Sequence, residues 1–303
     1  MSSIKRNDSL REEKNRIVGG MLYLVATPIG NLADLSERAV KVLSEVDFIA
    51  AEDTRNSGKL LSCLGIQKPM VSYFEHNKRE RGEQIAKRLQ EGESCALITD
   101  AGTPAISDPG EDMVALCADL GIPVTSIPGP VASITALTLS GLPTGRFCFE
   151  GFLSVNKAER RERLSALARE ERTMLFHEAP HKLKTTLKDL AAAFGEHRRI
   201  ALCRELTKIN EEILRTTLGK AVEFYEENDP RGEYVLAKGK QKNEQYTHHD
   251  GWDRHDANSV SDTQIPGLSR HGNTFFSINV ISLCCIIARI CKSGVNYRTS
   301  TRE

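Results

Sequence analysis

The chain has 303 residues, enough for two domains with sizeable cores, because domains usually contain roughly 100–200 residues. Lysine plus arginine and aspartate plus glutamate both number 41, so the balanced charge excludes a chain that is basic throughout. Any surface for a polyanion must therefore be local. The eight cysteines are scattered without metal-ligand spacing, which argues against structural zinc and fits a reduced, cytoplasmic protein.

The two ends of the chain differ from its middle. Residues 1–20 are charged and lack an apolar core, so we interpret them as a flexible leader and not as a secretory signal. Residues 241–303 form an atypical tail whose first half is polar, rich in histidine and typical of disorder. The apolar run at 275–291 is too short and too polar for a membrane helix, so we expect no membrane association and no metal site.

The first domain is predicted at residues 21–141, and it opens with a β–loop–α unit. Residues 22–26 form a strand pattern that Thr27 and Pro28 interrupt. Asp34 followed by Glu37 resembles a capping box, and apolar residues then recur at helical spacing. The loop contains neither the glycine pattern of dinucleotide sites nor that of P-loops, so a ligand without phosphates is favoured.

Two more apolar runs lead into loops with carboxylates. The apolar run at residues 48–51 is followed directly by Glu52, Asp53 and Arg55. Helices are predicted around 56–64 and 79–91. Residues 95–98 predict a buried strand that runs into a loop at 99–110, rich in small residues, proline and aspartate. Small residues there would let a ligand lie against backbone N–H and C=O groups.

A third loop of this kind follows the strand predicted at 124–127. It contains Pro128, Gly129 and Pro130 and precedes a helix at 131–139. Three such loops in one βαβ series predict an α/β fold with a doubly wound parallel sheet and a ligand cleft along one edge.

A second α/β domain with a mixed sheet is predicted at residues 142–240. Its strand patterns lie at 147–152, 173–176, 200–203, 213–218 and 234–237, and its helix patterns at 157–169, 182–194 and 221–227. The first of these helices alternates arginine with glutamate, which favours a solvated face.

Seven segments of the chain carry a resemblance to a known family. They are residues 24–32, 51–55, 99–110, 127–130, 140–144, 176–183 and 204–208. Together they strongly resemble the bacterial small-subunit ribosomal RNA 2′-O-ribose cytidine methyltransferases of the tetrapyrrole methylase superfamily. The similarity covers roughly residues 21–237. The chain departs from that family after residue 240, where the tail replaces a small helical C-terminal region.

The resemblance implies a two-domain fold with a parallel-sheet first domain and a mixed-sheet second domain. It implies a cytoplasmic homodimer that binds S-adenosylmethionine and methylates a cytidine ribose in the decoding region of small-subunit rRNA, free or in the assembled subunit. The residues at the family's cofactor positions are Pro28, Gly30, Asp100, Ala101, Gly102, Thr103, Pro104, Ile106, Ser107, Gly129, Pro130, Ser133, Phe176, His177 and Glu178. The candidates for catalysis and RNA contact are Asp100, Glu52, Asp53, Arg55, Glu205, Thr207 and Lys208.

Methyl transfer to a ribose needs alignment first and a proton acceptor second. Asp100 and Asp53 are the favoured acceptors, and Glu52 and Glu178 are alternatives. Arg55 and Lys208 are the expected contacts to phosphate or to the transition state.

Two other functions stay open at this point. One is a tetrapyrrole methyltransferase on the same scaffold, although residues 52–55 and 204–208 resemble the rRNA branch. The other is an inactive S-adenosylmethionine-binding scaffold whose C-terminal region has been replaced. A nicotinamide oxidoreductase is disfavoured because the glycine fingerprint and its acidic partner are missing.

Overall fold

The computed structural model describes residues 15–240. The predictions for the leader before residue 15 and for the tail at 241–303, including its histidines, lie outside the described residues. Within 15–240 the cysteines are free thiols, and no helix is both long and apolar enough to cross a membrane. The described residues divide into two compact units, 15–131 and 132–240.

The first unit is an α/β unit whose sheet is entirely parallel. Its strands are β1 (Leu22–Val25), β2 (Phe48–Ala51), β3 (Met70–Ser72), β4 (Cys95–Ile98) and β5 (Val124–Ile127). Its helices are α1 (Glu37–Glu45), α2 (Thr54–Cys63), α3 (Lys78–Gln90) and α4 (Glu111–Asp119), with a short 3₁₀ turn at Leu32–Asp34. The strand order β3-β2-β4-β1-β5 makes β4, β1 and β5 neighbours, so their carboxyl ends meet at one edge.

Both faces of the central strands of the first sheet are buried, which explains their continuous apolar sequences. Alternate residues such as Ile49 and Ile98 pack with α1 and α2 on one face. Phe48 and Leu97 point to the other face and pack with α3 and α4. The sheet is thereby fixed between two helical layers, and only its edges and loops are open to a ligand.

The second unit contains a mixed sheet, as the sequence predicts. Its strands are β6 (Phe147–Phe152), β7 (Thr173–Glu178), β8 (Arg199–Arg204), β9 (Glu212–Thr217) and β10 (Tyr234–Lys238). Its helices are α5 (Ala132–Leu139), α6 (Lys157–Ala166), α7 (Pro180–Phe194) and α8 (Leu218–Glu227), with a 3₁₀ turn at Leu167–Arg169. The order is β6-β7-β10-β8-β9, in which β6 and β7 are parallel and the other pairs antiparallel.

The position of α5 differs from the expectation. The second unit begins at Ala132 and not at Leu142, since α5 packs on the second sheet. Leu137 of α5 joins a buried cluster with Leu175 of β7 and Ala237 of β10. The glycine-rich joint after α5 suggested the later boundary, but burial of this apolar face decides it.

Three local predictions need correction. Ser36, not Asp34, caps α1, and its hydroxyl accepts a hydrogen bond from the Ala39 N–H at 3.1 Å. Strand β3 was not predicted, because three half-buried residues give too short a pattern. Arg160 is not part of a solvated face but is buried, 2.7 Å from the Asp189 carboxylate.

Candidate active site

The loops that follow β1, β4 and β5 are joined by hydrogen bonds. Thr27 and Gly102 exchange two backbone bonds of 2.9 and 3.1 Å, which link the β1 loop (residues 26–31) to the β4 loop (residues 99–110). The Thr27 hydroxyl donates to the Thr99 carbonyl at 3.1 Å. The Thr103 hydroxyl donates to the Pro130 carbonyl at 3.0 Å, which adds the β5 loop (residues 128–131). The three loops form one continuous surface of small residues, as the sequence predicts.

Two glycines let these loops approach one another closely. A Cβ on Gly129 would lie 2.7 Å from the Ala26 Cβ, so a larger residue cannot fit without moving the β1 loop. Gly102 has a φ of +91°, and a Cβ there would meet Ile29 at 3.3 Å. Both positions therefore require glycine, because a side chain there would push the joined loops apart.

The β4 loop stores backbone strain. Ala105 and Ser107 adopt φ values of +67° and +60°, in the left-handed region that residues with side chains rarely occupy. Each such conformation costs on the order of 1–3 kcal/mol and occurs preferentially at functional sites. The contacts of the folded loop therefore hold Ala105 and Ser107 in backbone conformations that these residues would rarely adopt on their own.

A group of carboxylates lies beside these loops. Strand β2 adjoins β4, so Glu52 reaches the β4 loop, where its Oε2 accepts the backbone N–H of Asp100 at 3.2 Å. Asp100 Oδ2 accepts a hydrogen bond of 3.0 Å from the Asn56 side chain in the first turn of α2. Asp100 Oδ1 is buried, and no partner for it is found within residues 15–240. That oxygen is free to accept a hydrogen bond from a ligand.

Two of the carboxylates at this site, Glu52 and Asp108, have a raised affinity for protons. Burial raises the pKa of Glu52, and the charges of Asp100 and Asp53 raise it further. Burial, together with the charges of Glu52 and Asp100, raises the pKa of Asp108 to about 7. Negative charge is thus concentrated here, which favours a cationic ligand and provides a group that can take up a proton at neutral pH.

Asp53 and Arg55 form a local pair at the start of α2. Asp53 caps α2 by accepting the Arg55 N–H at 2.8 Å, and its carboxylate also pairs with the Arg55 guanidinium at 2.7 Å. These hydrogen bonds lower the pKa of Asp53 to about 2, so this carboxylate is a poor proton acceptor. The Arg55 side chain is 86% exposed, which leaves its role in RNA contact a prediction.

The remaining predicted residues of the first unit lie in the three joined loops. They are Pro28, Gly30, Ala101, Pro104, Ile106, Ser107 and Pro130. Ser133 lies in α5 of the second unit and is buried. Asn56 and Asp108 also belong to this site, although neither has a local sequence pattern that reveals its proximity to Asp100. Thr27 has a role that the sequence does not predict, because its hydroxyl holds the β4 loop.

Strand β7 sends its three predicted residues to opposite faces of the second sheet. Phe176 is buried in the core with α7, and Glu178 is buried as acceptor of the Thr186 hydroxyl. The Thr186 oxygen in turn accepts Arg160 Nη2 at 2.8 Å. The side chains of Phe176 and Glu178 therefore make contacts within the unit, and their place in the cofactor site stays a prediction. His177 points to the other face.

The loop between β8 and β9 fixes Lys208 in place. Its ammonium group lies 2.8 Å from Oε1 of Glu205 and 2.8 Å from Oε2 of Glu233, with only 9% of the side chain exposed. Burial acts to lower the pKa of Lys208, but the hydrogen bonds to both carboxylates outweigh it and raise the pKa. Glu205 and Thr207 have positive φ values, and no partner within residues 15–240 is found for the buried Thr207 hydroxyl. Lys208 is thus paired with two carboxylates, and its contact with a phosphate stays a prediction.

Residues 15–240 contain no group of three or more histidine, cysteine or acidic side chains placed to hold a metal ion.

The model of the tetrapyrrole (corrin/porphyrin) methylases matches residues 21–222 of the chain. The chain belongs to the tetrapyrrole methylase family. These enzymes use S-adenosylmethionine as methyl donor, and the expected fold class is confirmed by a parallel sheet and a mixed sheet in this tetrapyrrole methylase.

Curated proteins and a solved structure are also similar to the chain. It is 51% identical over 217 residues to ribosomal RNA small subunit methyltransferase I of Synechocystis, covering 72% of this chain and 78% of the relative. It is 47% identical over 219 residues to the protein of that name from Escherichia coli O157:H7, covering 72% and 77%. Uroporphyrin-III C-methyltransferase of Thermus thermophilus, solved with S-adenosylhomocysteine, aligns with a TM-score of 0.51 at 19% identity, covering 72% and 97%. The solved structure supports the fold alone.

Proposed function

We propose that this tetrapyrrole methylase transfers the methyl group of S-adenosylmethionine to the ribose 2′-hydroxyl of a cytidine in the decoding region of small-subunit rRNA. Eight curated relatives between 45% and 51% identical to the chain bear the name ribosomal RNA small subunit methyltransferase I. The observation that carries the proposal is the buried Asp100 Oδ1, for which no partner is found within residues 15–240, beside a surface of joined loops rich in small residues.

The residues of the first unit fit the proposed cofactor. Gly102 and Gly129 let the three loops pack closely into one surface of small residues, against which an adenosine can lie. Glu52, Asp100 and Asp108 supply negative charge near a donor whose sulfonium is positive. Bound there, S-adenosylmethionine supplies a methyl group with a neutral thioether as leaving group.

The chain's own residues then have two tasks. The joined loops hold the donor rigidly, and alignment of the reacting atoms supplies a large part of the rate. Asp100 Oδ1 accepts the hydrogen bond of the ribose hydroxyl, while Asn56 and the Glu52 contact keep its carboxylate oriented. The proton is taken up by the carboxylate group, in which Asp108 has a pKa of about 7 and can hold it at neutral pH.

The proposal is tested with the purified full chain and small subunits whose rRNA lacks 2′-O-methylation. The wild type should transfer tritiated methyl groups to one cytidine, which nuclease mapping and mass spectrometry locate. Asp100→Ala should remain folded and lose transfer by at least about 100-fold, because both the acceptor and its orientation are lost. Asp119→Asn, at an exposed position of α4, serves as the matched control and should retain full activity.

Other outcomes would separate the alternative functions. Transfer to a porphyrinoid carbon with no transfer to rRNA would identify a tetrapyrrole enzyme. Binding of S-adenosylmethionine without transfer to either substrate would identify an inactive scaffold. Unchanged single-turnover transfer by Asp100→Ala would remove Asp100 from the mechanism.

We further propose that the protein acts as a homodimer in the cytoplasm, where its RNA substrate is made and assembled. The similarity of segments 51–55 and 204–208 to the rRNA branch supports this assignment. Light scattering of the purified protein at several concentrations tests the dimer.

A further inference from the structure

An irregularity in β6 places two aromatic side chains on the same face of the second sheet. Phe149 pairs with Leu175 and Phe152 pairs with His177, and the register shifts between Phe149 and Gly151. Residues three apart in a regular strand point to opposite faces. The extra residue of this β-bulge, with Gly151 at a φ of +62°, turns Phe152 to the face of Phe149.

His177 lies between these two rings. The centroid of its imidazole is 5.2 Å from that of Phe149 and 5.3 Å from that of Phe152, both in edge-to-face geometry. Its Nε2 is buried, and no hydrogen-bond partner for it is found within residues 15–240. Burial lowers the pKa of His177, although the charge of Glu233 opposes the shift, so the ring is neutral at pH 7.

The two phenylalanines nevertheless remain open on their outer sides. Phe149 is 36% exposed and Phe152 is 59% exposed. An open phenyl ring offers a π-face, and a buried imidazole nitrogen without a partner costs free energy until a ligand supplies one. The occupant must therefore be flat and apolar on its face and polar at its edge.

An unpaired nucleobase has this combination of properties. RNA-binding proteins recognise unpaired bases by stacking them on aromatic side chains and by hydrogen bonds to their edges. Resting on the proposed function, we propose that Phe149, Phe152 and His177 form a platform for an unpaired base of the RNA substrate, with His177 Nε2 hydrogen-bonded to the edge of the base. The platform adds a positioning site in the second unit that acts on RNA and not on the cofactor.

Substitutions at Phe152 distinguish base stacking from simple apolar contact. Phe152→Leu keeps apolar volume but removes the ring, and Phe152→Trp keeps a ring. We expect Phe152→Leu to raise KM for the small subunit by about 10- to 100-fold with little change in kcat, because base–aromatic stacking has that strength. Phe152→Trp should retain the wild-type KM.

His177→Ala tests the polar contact. It should raise KM for the small subunit about ten-fold while the affinity for S-adenosylmethionine, measured by calorimetry, stays within two-fold of the wild type. Phe147→Ala is the matched control, since Phe147 is 38% exposed on the same strand but pairs with Thr173 at the far end from His177. It should leave both constants unchanged.

Three results would overturn the platform. Phe152→Leu with a wild-type KM would exclude stacking. An equal loss of cofactor affinity in His177→Ala would assign the face to S-adenosylmethionine. A lower molar mass of Phe149→Ala and Phe147→Ala in light scattering would assign it to a second copy of the chain. If the wild type methylates no rRNA, the proposed function fails first, and quenching of a 2-aminopurine oligoribonucleotide by wild type but not by Phe152→Leu still tests the platform.

Discussion

The two units present their candidate ligand groups in opposite ways. The first unit offers small residues and strained backbone at one sheet edge, where Gly102 and Gly129 let the loops pack closely and Ala105 and Ser107 are left-handed. The second unit offers large side chains, either exposed as with Phe152 or locked as with Lys208 and Glu178. A backbone surface suits a cofactor shared by a whole family, whereas side chains can change with the substrate.

The solved structures are consistent with this division. Two tetrapyrrole methyltransferases share the fold at 18–20% identity, so the scaffold persists while most side chains differ. If the comparison is right, substitutions in the first unit should affect the cofactor, and substitutions in the second unit should affect the RNA or the stability.

The largest effect is expected at Gly129. In Gly129→Ala, the added Cβ would lie 2.7 Å from the Ala26 Cβ and must displace the β1 loop. Because a displacement of about 1 Å can cost on the order of 100-fold, the affinity for S-adenosylmethionine in calorimetry should fall by about that factor. Gly145→Ala is the control, since its Cβ would meet nothing within 4 Å. Wild-type affinity in Gly129→Ala would refute the backbone cradle.

A second prediction concerns pH and Asp108. If this carboxylate takes the proton, methyl transfer should rise with pH through about 7 and be roughly ten-fold lower at pH 6 than at its plateau. Asp108→Asn, which cannot take a proton, should lower the rate and remove this rise. Asp119→Asn should keep the wild-type profile.

The same pKa predicts the pH dependence of stability. The folded-state pKa of Asp108 is raised, so the folded state favours the protonated acid, and stability is lost as pH rises from about 4 to about 7. Asp108→Asn should therefore raise Tm relative to wild type at pH 8 but not at pH 4. An equal Tm difference at both pH values would show that Asp108 titrates normally.

A third prediction sharpens the role of Lys208. Lys208→Met leaves the half-buried Glu205 without its cation, so the free energy of unfolding should fall by about 2 kcal/mol. The slope of RNA affinity against salt should stay unchanged, whereas loss of a phosphate contact would reduce it by about one. Lys188→Met removes an exposed ion pair with Glu226 and should change stability by under about 1 kcal/mol.

The smallest effect is expected in the core of the second unit. Thr186→Val removes the hydroxyl that donates to Glu178 and accepts from Arg160, so denaturant unfolding should show a loss of about 1–2 kcal/mol. The affinity for S-adenosylmethionine should not change. Thr185→Val, on the exposed side of α7, should have little effect. A loss of affinity for S-adenosylmethionine in Thr186→Val would indicate that Glu178 belongs to the cofactor site.

Much of the fold follows from local pattern. The apolar runs at β1, β2 and β4 are almost wholly buried, as is typical of a parallel sheet, and glycine and proline mark the loops after β1, β4 and β5. Because such strands end at one edge, the meeting of the β1, β4 and β5 loops could be predicted without the structure.

The pairings across long sequence separations could not be predicted. Asn56 contacts Asp100 across 44 residues, and Asp108 owes its raised pKa to burial and then to the charges of Glu52 and Asp100. The burial of Arg160 depends on Thr186 and Asp189 of another helix, although its own helix has the pattern of an exposed one. The charge pattern of a helix shows only which residues lie along that helix. Whether one of its arginines is buried depends on the element packed against it.

The bulge at Gly151 has a further consequence for association between chains. Among the strands of residues 15–240, β6 has a neighbour on one side, and the backbone groups on its other side can pair with a foreign strand. Three partly open phenylalanines would strengthen such an addition and favour amyloid-like stacking. The extra residue interrupts the regular spacing of donors and acceptors, so the kink that aims Phe152 also protects the folded chain from aggregation.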